Sequence, residues 1–142
     1  MTQDQITAAR QFIDAIPHSR RLGMQLKELG DGRAIISMPY DSALIGDPVT
    51  KVIHGGAVSA LMDTAGGAAV AAHPLAGLGT ATLDLRIDYM RPATPGQAIT
   101  AIAECYHVTR TVAFVRATAC DEDTDHPVAT ATGAFTVAKA SP

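Results

Sequence analysis

One acidic residue and a pair of glycines lie in the most apolar stretch of the sequence. Residues 52–70 are typical of a helix with apolar or small residues on every side, and Asp63 is the only charged residue in it. A carboxylate in such surroundings is costly unless it has a partner or a chemical task. His54-Gly55-Gly56 opens the helix, so backbone N–H groups of the first turn can face a polarised oxygen.

Thioester hydrolysis is a reaction that suits these groups. Attack on a thioester carbonyl produces an oxyanion, which donors at a helix N-terminus stabilise as the charge develops. The reaction also needs a nucleophile, either a water activated by a carboxylate or the carboxylate itself. The sequence leaves open which of these Asp63 provides. Ser59 is a weaker candidate, because it lacks a histidine base in the motif.

Each of these residues also has a purely structural interpretation. His54 can be a helix cap with no chemical role, and Asp63 can be a buried structural carboxylate. Gly66-Gly67 indicates a site where the helix packs closely on a strand or another helix. The residues alone do not decide between the structural and the chemical interpretations.

The composition narrows the class of protein. The 142 residues are 47% hydrophobic and 18% charged, which predicts a single domain over residues 1–142 with its own core. The formal net charge of −3 gives no reason to expect a nucleic-acid partner. Cys105 and Cys120 lie outside any CxxC motif or Cys/His cluster, so neither a disulfide nor a metal site is expected. The N-terminus carries no secretory-signal pattern, and we predict a cytoplasmic protein that does not associate with membranes.

The elements that position these residues follow from hydrophobic periodicity. Helical spacing predicts a first helix over residues 4–16, capped by Thr2 or Asp4 and ended by Pro17. Alternating patterns predict two strands before the central helix and four after it. The strands are expected over residues 24–29, 33–40, 80–90, 98–108, 112–120 and 128–138. Residues 41–51 form the loop that leads into the central helix.

Six strands in meander-like order can bury a long apolar helix by curling around it. We therefore predict an α+β protein with the hotdog fold, an antiparallel six-stranded sheet wrapped around a long central helix. Strand 80–90 alternates strongly and is expected to have two distinct faces. One face is Leu83, Leu85, Ile87 and Tyr89, and the other is Thr82, Asp84, Arg86 and Asp88.

Two segments of the sequence resemble a known family. They are Ile53-His-Gly-Gly-Ala-Val-Ser-Ala-Leu-Met-Asp63 and Thr80-Ala-Thr-Leu-Asp-Leu-Arg-Ile-Asp-Tyr-Met-Arg-Pro-Ala-Thr-Pro-Gly96. Both are similar to the phenylacetyl-CoA (PaaI-like) type of hotdog acyl-CoA thioesterase, and the resemblance runs from about Leu22 to Val137. It implies hydrolysis of an acyl-CoA to free acid and coenzyme A. It implies no cofactor other than the coenzyme A that is part of the substrate.

The resemblance also implies roles for the motif residues. The N–H of Gly55, beside His54 and Gly56, would polarise the thioester carbonyl. Asp63 would activate water or attack the carbonyl directly, and Thr82 would position the water. These residues are the predicted active site, with Gly56 counted among the substrate-binding residues.

The chain departs from the family pattern at one position. Many relatives carry an asparagine six residues before the motif histidine, where this chain has Pro48. In those relatives the asparagine orients the site. Either Asp47 orients the site here with altered spacing, or no residue of this chain has that role. Arg91 and Arg110 are the predicted contacts for the phosphates of coenzyme A.

The spacing of the candidate groups predicts a homodimer. Gly55 and Asp63 are eight residues apart, which is about 12 Å along a helix and too far for both to reach one thioester. A partner copy must supply one of them, and a dimer of dimers is the expected larger assembly. An apolar slot between the copies favours medium-chain or aryl acyl groups over acetyl. The alternative function is a non-catalytic acyl-CoA-binding hotdog module, in which Asp63 has no chemical task.

Overall fold

A six-stranded antiparallel sheet packs against one long helix in the computed structural model, which describes residues 2–77 and 79–137. The helices are α1 (Gln3–Ala15), α2 (Pro17–Arg21) and α3 (Gly55–Ala71), and a single 3-10 turn covers Ser42–Leu44. The strands are β1 (Gln25–Gly30), β2 (Arg33–Met38), β3 (Thr82–Tyr89), β4 (Ile99–Val108), β5 (Val112–Cys120) and β6 (Ala129–Thr136). The predicted α+β hotdog architecture is confirmed. Residue 138, the expected end of the last strand, lies outside the described residues.

Pro17 begins a second helix as well as following the first. Thr2 caps α1 together with Gln5: the Thr2 N–H donates to Gln5 Oε1 at 2.8 Å, and the Gln5 N–H donates to Thr2 Oγ1 at 3.2 Å. Helix α1 ends at Ala15, and Pro17 occupies the first position of α2, where its fixed φ and missing N–H cost nothing. The sequence pattern missed α2 because five residues are too few to show a helical period.

The strand order is β1-β2-β4-β5-β6-β3, so the expected meander-like order is wrong for β3. This strand follows α3 in the chain but pairs with β6, at the opposite edge of the sheet from β1. The 17 residues of α3 extend over about 25 Å at ~1.5 Å per residue, which is enough to carry the chain across the sheet. No helix among the described residues combines the length and the apolar character needed to cross a membrane.

The core lies between the inner face of the sheet and one side of α3. Its largest fully buried side chains come from α3 and from four strands, namely Leu61, Met62, Val70, Ile36, Met38, Ile99, Val115 and Phe135. A Cβ on Gly66 would lie only 2.8 Å from Phe135 Cζ, so the predicted close packing occurs at Gly66. A Cβ on Gly67 would lie 3.9 Å from the same ring, which is an ordinary contact distance. The glycine pair therefore packs closely through its first member only.

The sheet leaves the other side of α3 only partly buried in the described part of the chain, contrary to the expectation of a helix buried all round. Asp63 and Gly67 are only partly buried. Strand β3 is exposed along most of its length. Its expected apolar face is divided, since Leu85 packs against the core whereas Leu83 is 58% exposed and Tyr89 is 52% exposed. The predicted site residues of α3 and β3 thus lie on a surface that residues 2–77 and 79–137 leave partly open.

Candidate active site

The candidate carboxylate is held by a threonine of β3. Asp63 lies in the middle of α3, and its Oδ1 accepts a hydrogen bond of 2.6 Å from Thr82 Oγ1. The two residues are 19 positions apart in the sequence, and the helix and the strand bring them together. A short O–H···O bond to a carboxylate is charge-assisted, so Thr82 fixes the direction of the Asp63 side chain.

A β-bulge turns Thr82 toward the helix. Strict alternation would place Thr82 with Asp84, on the face opposite the core-facing Leu85. The register between β3 and β6 shifts between Thr82 and Asp84, so Leu83 is the extra residue of a bulge. A bulge changes the direction of the side chains beside it, and here it allows the Thr82 hydroxyl to reach Asp63. The predicted face of Thr82 is therefore wrong, because an alternating pattern does not reveal a bulge.

The start of α3 offers one unused backbone donor. His54 is the N-cap, and its Nδ1 accepts a hydrogen bond of 2.8 Å from the Gly56 N–H. The His54 carbonyl accepts a bond of 3.0 Å from the Ala57 N–H. Within residues 2–77 and 79–137 the Gly55 N–H has no hydrogen-bond acceptor. The capping interpretation of His54 is confirmed, and of the two predicted glycine donors only the one at Gly55 is free.

Gly55 lines a cavity large enough for part of a substrate. The cavity has a volume of about 360 Å³ and a mainly apolar wall that includes Ile53, Val58, Tyr89 and Met90. A second cavity of about 300 Å³ is lined by His54 and Gly56. The first turn of α3 thus lines two cavities.

Tyr89 contacts the same glycine from the far end of β3. Its Oη donates a hydrogen bond of 2.8 Å to the Gly55 carbonyl, and a Cβ on Gly55 would lie 3.4 Å from the ring. The sequence did not single out Tyr89, because an aromatic residue on an alternating strand is typical of a core position. Strand β3 therefore contacts α3 at both candidate groups, at Asp63 through Thr82 and at Gly55 through Tyr89.

Arg91 is engaged in holding the fold together. Its Nη1 and Nη2 donate to the two carboxylate oxygens of Asp121 at 2.8 and 2.6 Å, and its Nε donates to the His126 carbonyl at 2.9 Å. The Asp121 carboxylate also accepts a bond of 2.9 Å from the Thr94 N–H. All three guanidinium nitrogens are in use, which argues against the predicted contact between Arg91 and the phosphates of coenzyme A.

Asp121 is expected to make the fold sensitive to acid. Its side chain is fully buried, and the hydrogen bonds from Arg91 hold the pKa of the Asp121 carboxyl well below its ordinary value. A carboxylate whose folded pKa is lowered stabilises the fold above its unfolded pKa of about 3.9, and this stabilisation is lost as the pH falls toward the folded pKa. Between about pH 5 and pH 3, urea unfolding should show a larger decrease in the free energy of unfolding for the parent than for Asp121→Asn. Equal decreases would assign the acid sensitivity to other carboxyl groups.

Asp47 and Arg110 lie on the surface. Asp47 Oδ1 accepts hydrogen bonds from the N–H groups of Val49 at 2.9 Å and Thr50 at 3.4 Å, and these bonds lower the pKa of the Asp47 carboxyl. Asp47 thus shapes the loop before α3, and no hydrogen bond in the described part of the chain joins its side chain to His54 or Gly55. Arg110 lies exposed between β4 and β5 and has no ion-pair partner among the described residues, so it can meet a phosphate.

The described ranges contain no group of three or more His, Cys, Asp or Glu side chains placed to hold a metal ion. Cys105 and Cys120 are free thiols, and burial raises the pKa of both. Both thiols lie on the sheet, on β4 and β5, outside the contacts of Asp63 and Gly55 described above.

Comparisons with known proteins agree with this geometry. Residues 50–128, which include all of α3 and β3, match the model of the thioesterase superfamily. The medium/long-chain acyl-CoA thioesterase YigI of Escherichia coli is 26% identical over 139 residues, covering 89% of this chain and 88% of that protein. A putative esterase of Halobacterium salinarum is 38% identical over 76 residues, so the match spans about half of each protein.

Solved structures show the same fold. A Pseudomonas aeruginosa protein is 38% identical with a TM-score of 0.83, covering 94% of this chain and 99% of that one. The PaaI protein from the phenylacetic acid degradation operon of E. coli has a TM-score of 0.85 at 20% identity, covering 96% and 95% of the two chains. Because the family model matches more than half of its length, the chain belongs to the thioesterase superfamily, and the prediction of a hotdog thioester hydrolase is confirmed.

Proposed function

We propose that the chain hydrolyses acyl-CoA thioesters to a free acid and coenzyme A, with medium-chain or aryl acyl groups as substrates. The observation that carries this proposal is the bond of 2.6 Å between Asp63 and Thr82 on the side of α3 that is only partly buried. Among the described residues the Asp63 side chain has no other hydrogen-bond partner, so one carboxylate oxygen is left for a water molecule or a substrate.

In the proposed reaction the thioester carbonyl lies against the Gly55 N–H, in the cavity beside Tyr89. As the nucleophile attacks, negative charge develops on the carbonyl oxygen, and the N–H and the positive end of α3 stabilise it. Asp63 takes a proton from the attacking water, or its carboxylate attacks the carbonyl and forms an anhydride with the acyl group. In both cases the C–S bond breaks and the thiolate of coenzyme A leaves and takes up a proton. In the second case a water molecule then hydrolyses the anhydride, which releases the free acid and restores the Asp63 carboxylate. The Thr82 hydroxyl donates a hydrogen bond to Asp63, so the Thr82 oxygen acts as an acceptor for a hydrogen bond from a water molecule.

A homodimer follows from the separation of the two groups. Gly55 and Asp63 are about 12 Å apart along α3, so one chain does not place both at one thioester. The edge strand β3 exposes Leu83 and Tyr89, and Met90 directly after it is 57% exposed. Such a surface is typical of an interface between copies. A two-fold axis would bring Gly55 of one copy beside the partner's Asp63 and create two equivalent sites. The pairing of two such dimers, and the cytoplasmic location, stay predictions.

A panel of thioesters tests the proposed activity. Free thiol should be released faster from hexanoyl-, decanoyl- and phenylacetyl-CoA than from acetyl-CoA, because each buried CH₂ group contributes about 0.8 kcal/mol. We expect kcat/KM for hexanoyl-CoA to exceed that for acetyl-CoA at least ~10-fold. KM should rise with salt, since the proposed contact of exposed Arg110 with phosphate is screened. Binding of coenzyme A without thiol release from any of the four would favour the non-catalytic binding module.

Removing the Thr82 hydroxyl is expected to lower kcat about tenfold, less than the loss of Asp63. Thr82→Val keeps a β-branched side chain of similar shape but loses the hydrogen bond to a carboxylate, which contributes about 1.5 kcal/mol. Thr132→Val is the matched control, because Thr132 is exposed on β6 and its hydroxyl has no hydrogen bond among the described residues. A rate for Thr82→Val equal to that of the control would remove Thr82 from the site.

A further inference from the structure

We infer that Tyr89 is a positioning residue for the Gly55 N–H, an inference that rests on the proposed function. The peptide unit between Gly55 and Gly56 is held at both ends. Its carbonyl accepts a hydrogen bond of 2.8 Å from Tyr89 Oη, and its N–H donates a bond of 2.8 Å to His54 Nδ1. Two side chains from different elements thus clamp one peptide at the start of α3.

The two hydrogen bonds of this clamp restrict a flexible segment, because two consecutive glycines begin the first turn of α3. Glycine has more backbone freedom than any other residue, so the conformation of Gly55 is weakly fixed by its own chain. The direction of the Gly55 N–H depends on that conformation. Donors that stabilise a developing oxyanion act well only when they are held in place before the reaction. Fixing the peptide unit between Gly55 and Gly56 therefore helps to fix the direction of the Gly55 N–H.

The Tyr89 hydroxyl is not needed to satisfy the Gly55 carbonyl. A carbonyl at the first position of an α-helix is already placed to accept the N–H of the fourth residue after it. A phenylalanine would keep the same ring beside the glycine, where a Cβ built on Gly55 would lie 3.4 Å from it. The hydroxyl adds only a second bond to one carbonyl, which is a contribution to orientation.

The sheet gives the hydroxyl a fixed reference point. Tyr89 pairs with Ala129 of β6, and the next residue, Met90, donates its N–H to the Val128 carbonyl at 2.8 Å. Arg91 follows directly and is bound to the buried Asp121. The end of β3 is therefore anchored to the core of the sheet, although the Tyr89 ring itself is exposed. This anchoring gives the Arg91–Asp121 pair a role in holding Tyr89.

Tyr89→Phe is expected to lower kcat for hexanoyl-CoA about three- to tenfold, with unchanged KM and an unchanged midpoint of urea unfolding. Tyr106→Phe is the matched control, because Tyr106 is an exposed strand tyrosine whose ring, packed at 4.1 Å from Arg116, is kept. In a double-mutant cycle, Tyr89→Phe and His54→Ala should be less than additive in log kcat, since each releases the same peptide. A parent kcat for Tyr89→Phe, or fully additive effects, would overturn the inference.

Amide hydrogen exchange separates failure of this inference from failure of the proposed function. A parent protein that releases no thiol from any acyl-CoA refutes the function alone. In that case the exchange rate of the Gly56 amide tests the clamp. This amide should exchange faster in Tyr89→Phe than in the parent. In the control Tyr106→Phe it should exchange at the parent rate. Equal exchange at Gly56 in the parent and in Tyr89→Phe overturns the clamp whatever the activity.

Discussion

Asp63→Asn is expected to lower kcat for hexanoyl-CoA at least ~10²-fold while the protein stays folded. Asparagine has nearly the same shape, and its Oδ1 can still accept the hydrogen bond that Thr82 donates to Asp63. It cannot take a proton from water or attack a carbonyl, so only the chemical step is lost. Asp63 lies partly exposed on the partly buried side of α3, so the fold does not depend on its charge.

Asp84→Asn is the matched control for this prediction. Asp84 lies on the same strand as Thr82, is exposed, and has no hydrogen-bond or ion-pair partner for its side chain in the described residues. The same chemical change there should leave kcat within about twofold of the parent, and both variants should bind coenzyme A as the parent does. Hydrolysis by Asp63→Asn at the parent rate would make the catalytic assignment wrong and would favour the binding module.

Gly55→Pro is expected to lower kcat/KM by ~10² to 10³, because it removes the Gly55 N–H, which has no acceptor among the described residues. The position should accept proline without loss of the fold. Gly55 is the first residue of α3, where proline is favoured. His54 has φ −57° and ψ 133°, which is the extended conformation that a residue before proline adopts. The substitution therefore deletes the donor, keeps the helix start and adds the bulk of the proline ring beside Tyr89.

Gly55→Ala separates the donor from the added bulk. Alanine keeps the N–H, and its Cβ would lie 3.4 Å from the Tyr89 ring, an ordinary contact. We expect kcat/KM within about threefold of the parent, as for a surface substitution that disturbs no special contact. Equal losses in the alanine and proline variants would show that crowding, and not the missing N–H, is responsible.

Much of the fold could be predicted from the sequence, because apolar periodicity reports directly which face of an element is buried. The central helix and all six strands follow from that signal. Helix α2 did not, since its five residues show no period. The position of β3 at the edge beside β6 also did not, because pairing between distant strands depends on where α3 delivers the chain. The apolar composition of α3 predicts that the helix is buried, but it does not show whether the same chain or another molecule buries each side.

The candidate site was predictable where short motifs carry it. The glycine start of α3 and its single carboxylate identified Gly55 and Asp63, and the structure brings Thr82 to that carboxylate. Tyr89 escaped notice because its contact with Gly55 spans 34 positions of the sequence. The ion pair of Arg91 was not predicted, because its partner Asp121 lies 30 positions away. Both cases depend on long-range contacts, which patterns of neighbouring residues do not reveal.

A mixture of Gly55→Pro and Asp63→Asn tests the shared active site most directly. Each variant supplies the group that the other lacks, so a mixed dimer has one complete site and one that lacks both groups. If the two variants are unfolded and refolded together in equal amounts, half of the dimers are mixed, and about a quarter of the parent activity should return. Activity that stays at the level of the separate variants, in a sample shown by native mass spectrometry to contain mixed dimers, would contradict a site built from Gly55 of one copy and Asp63 of another.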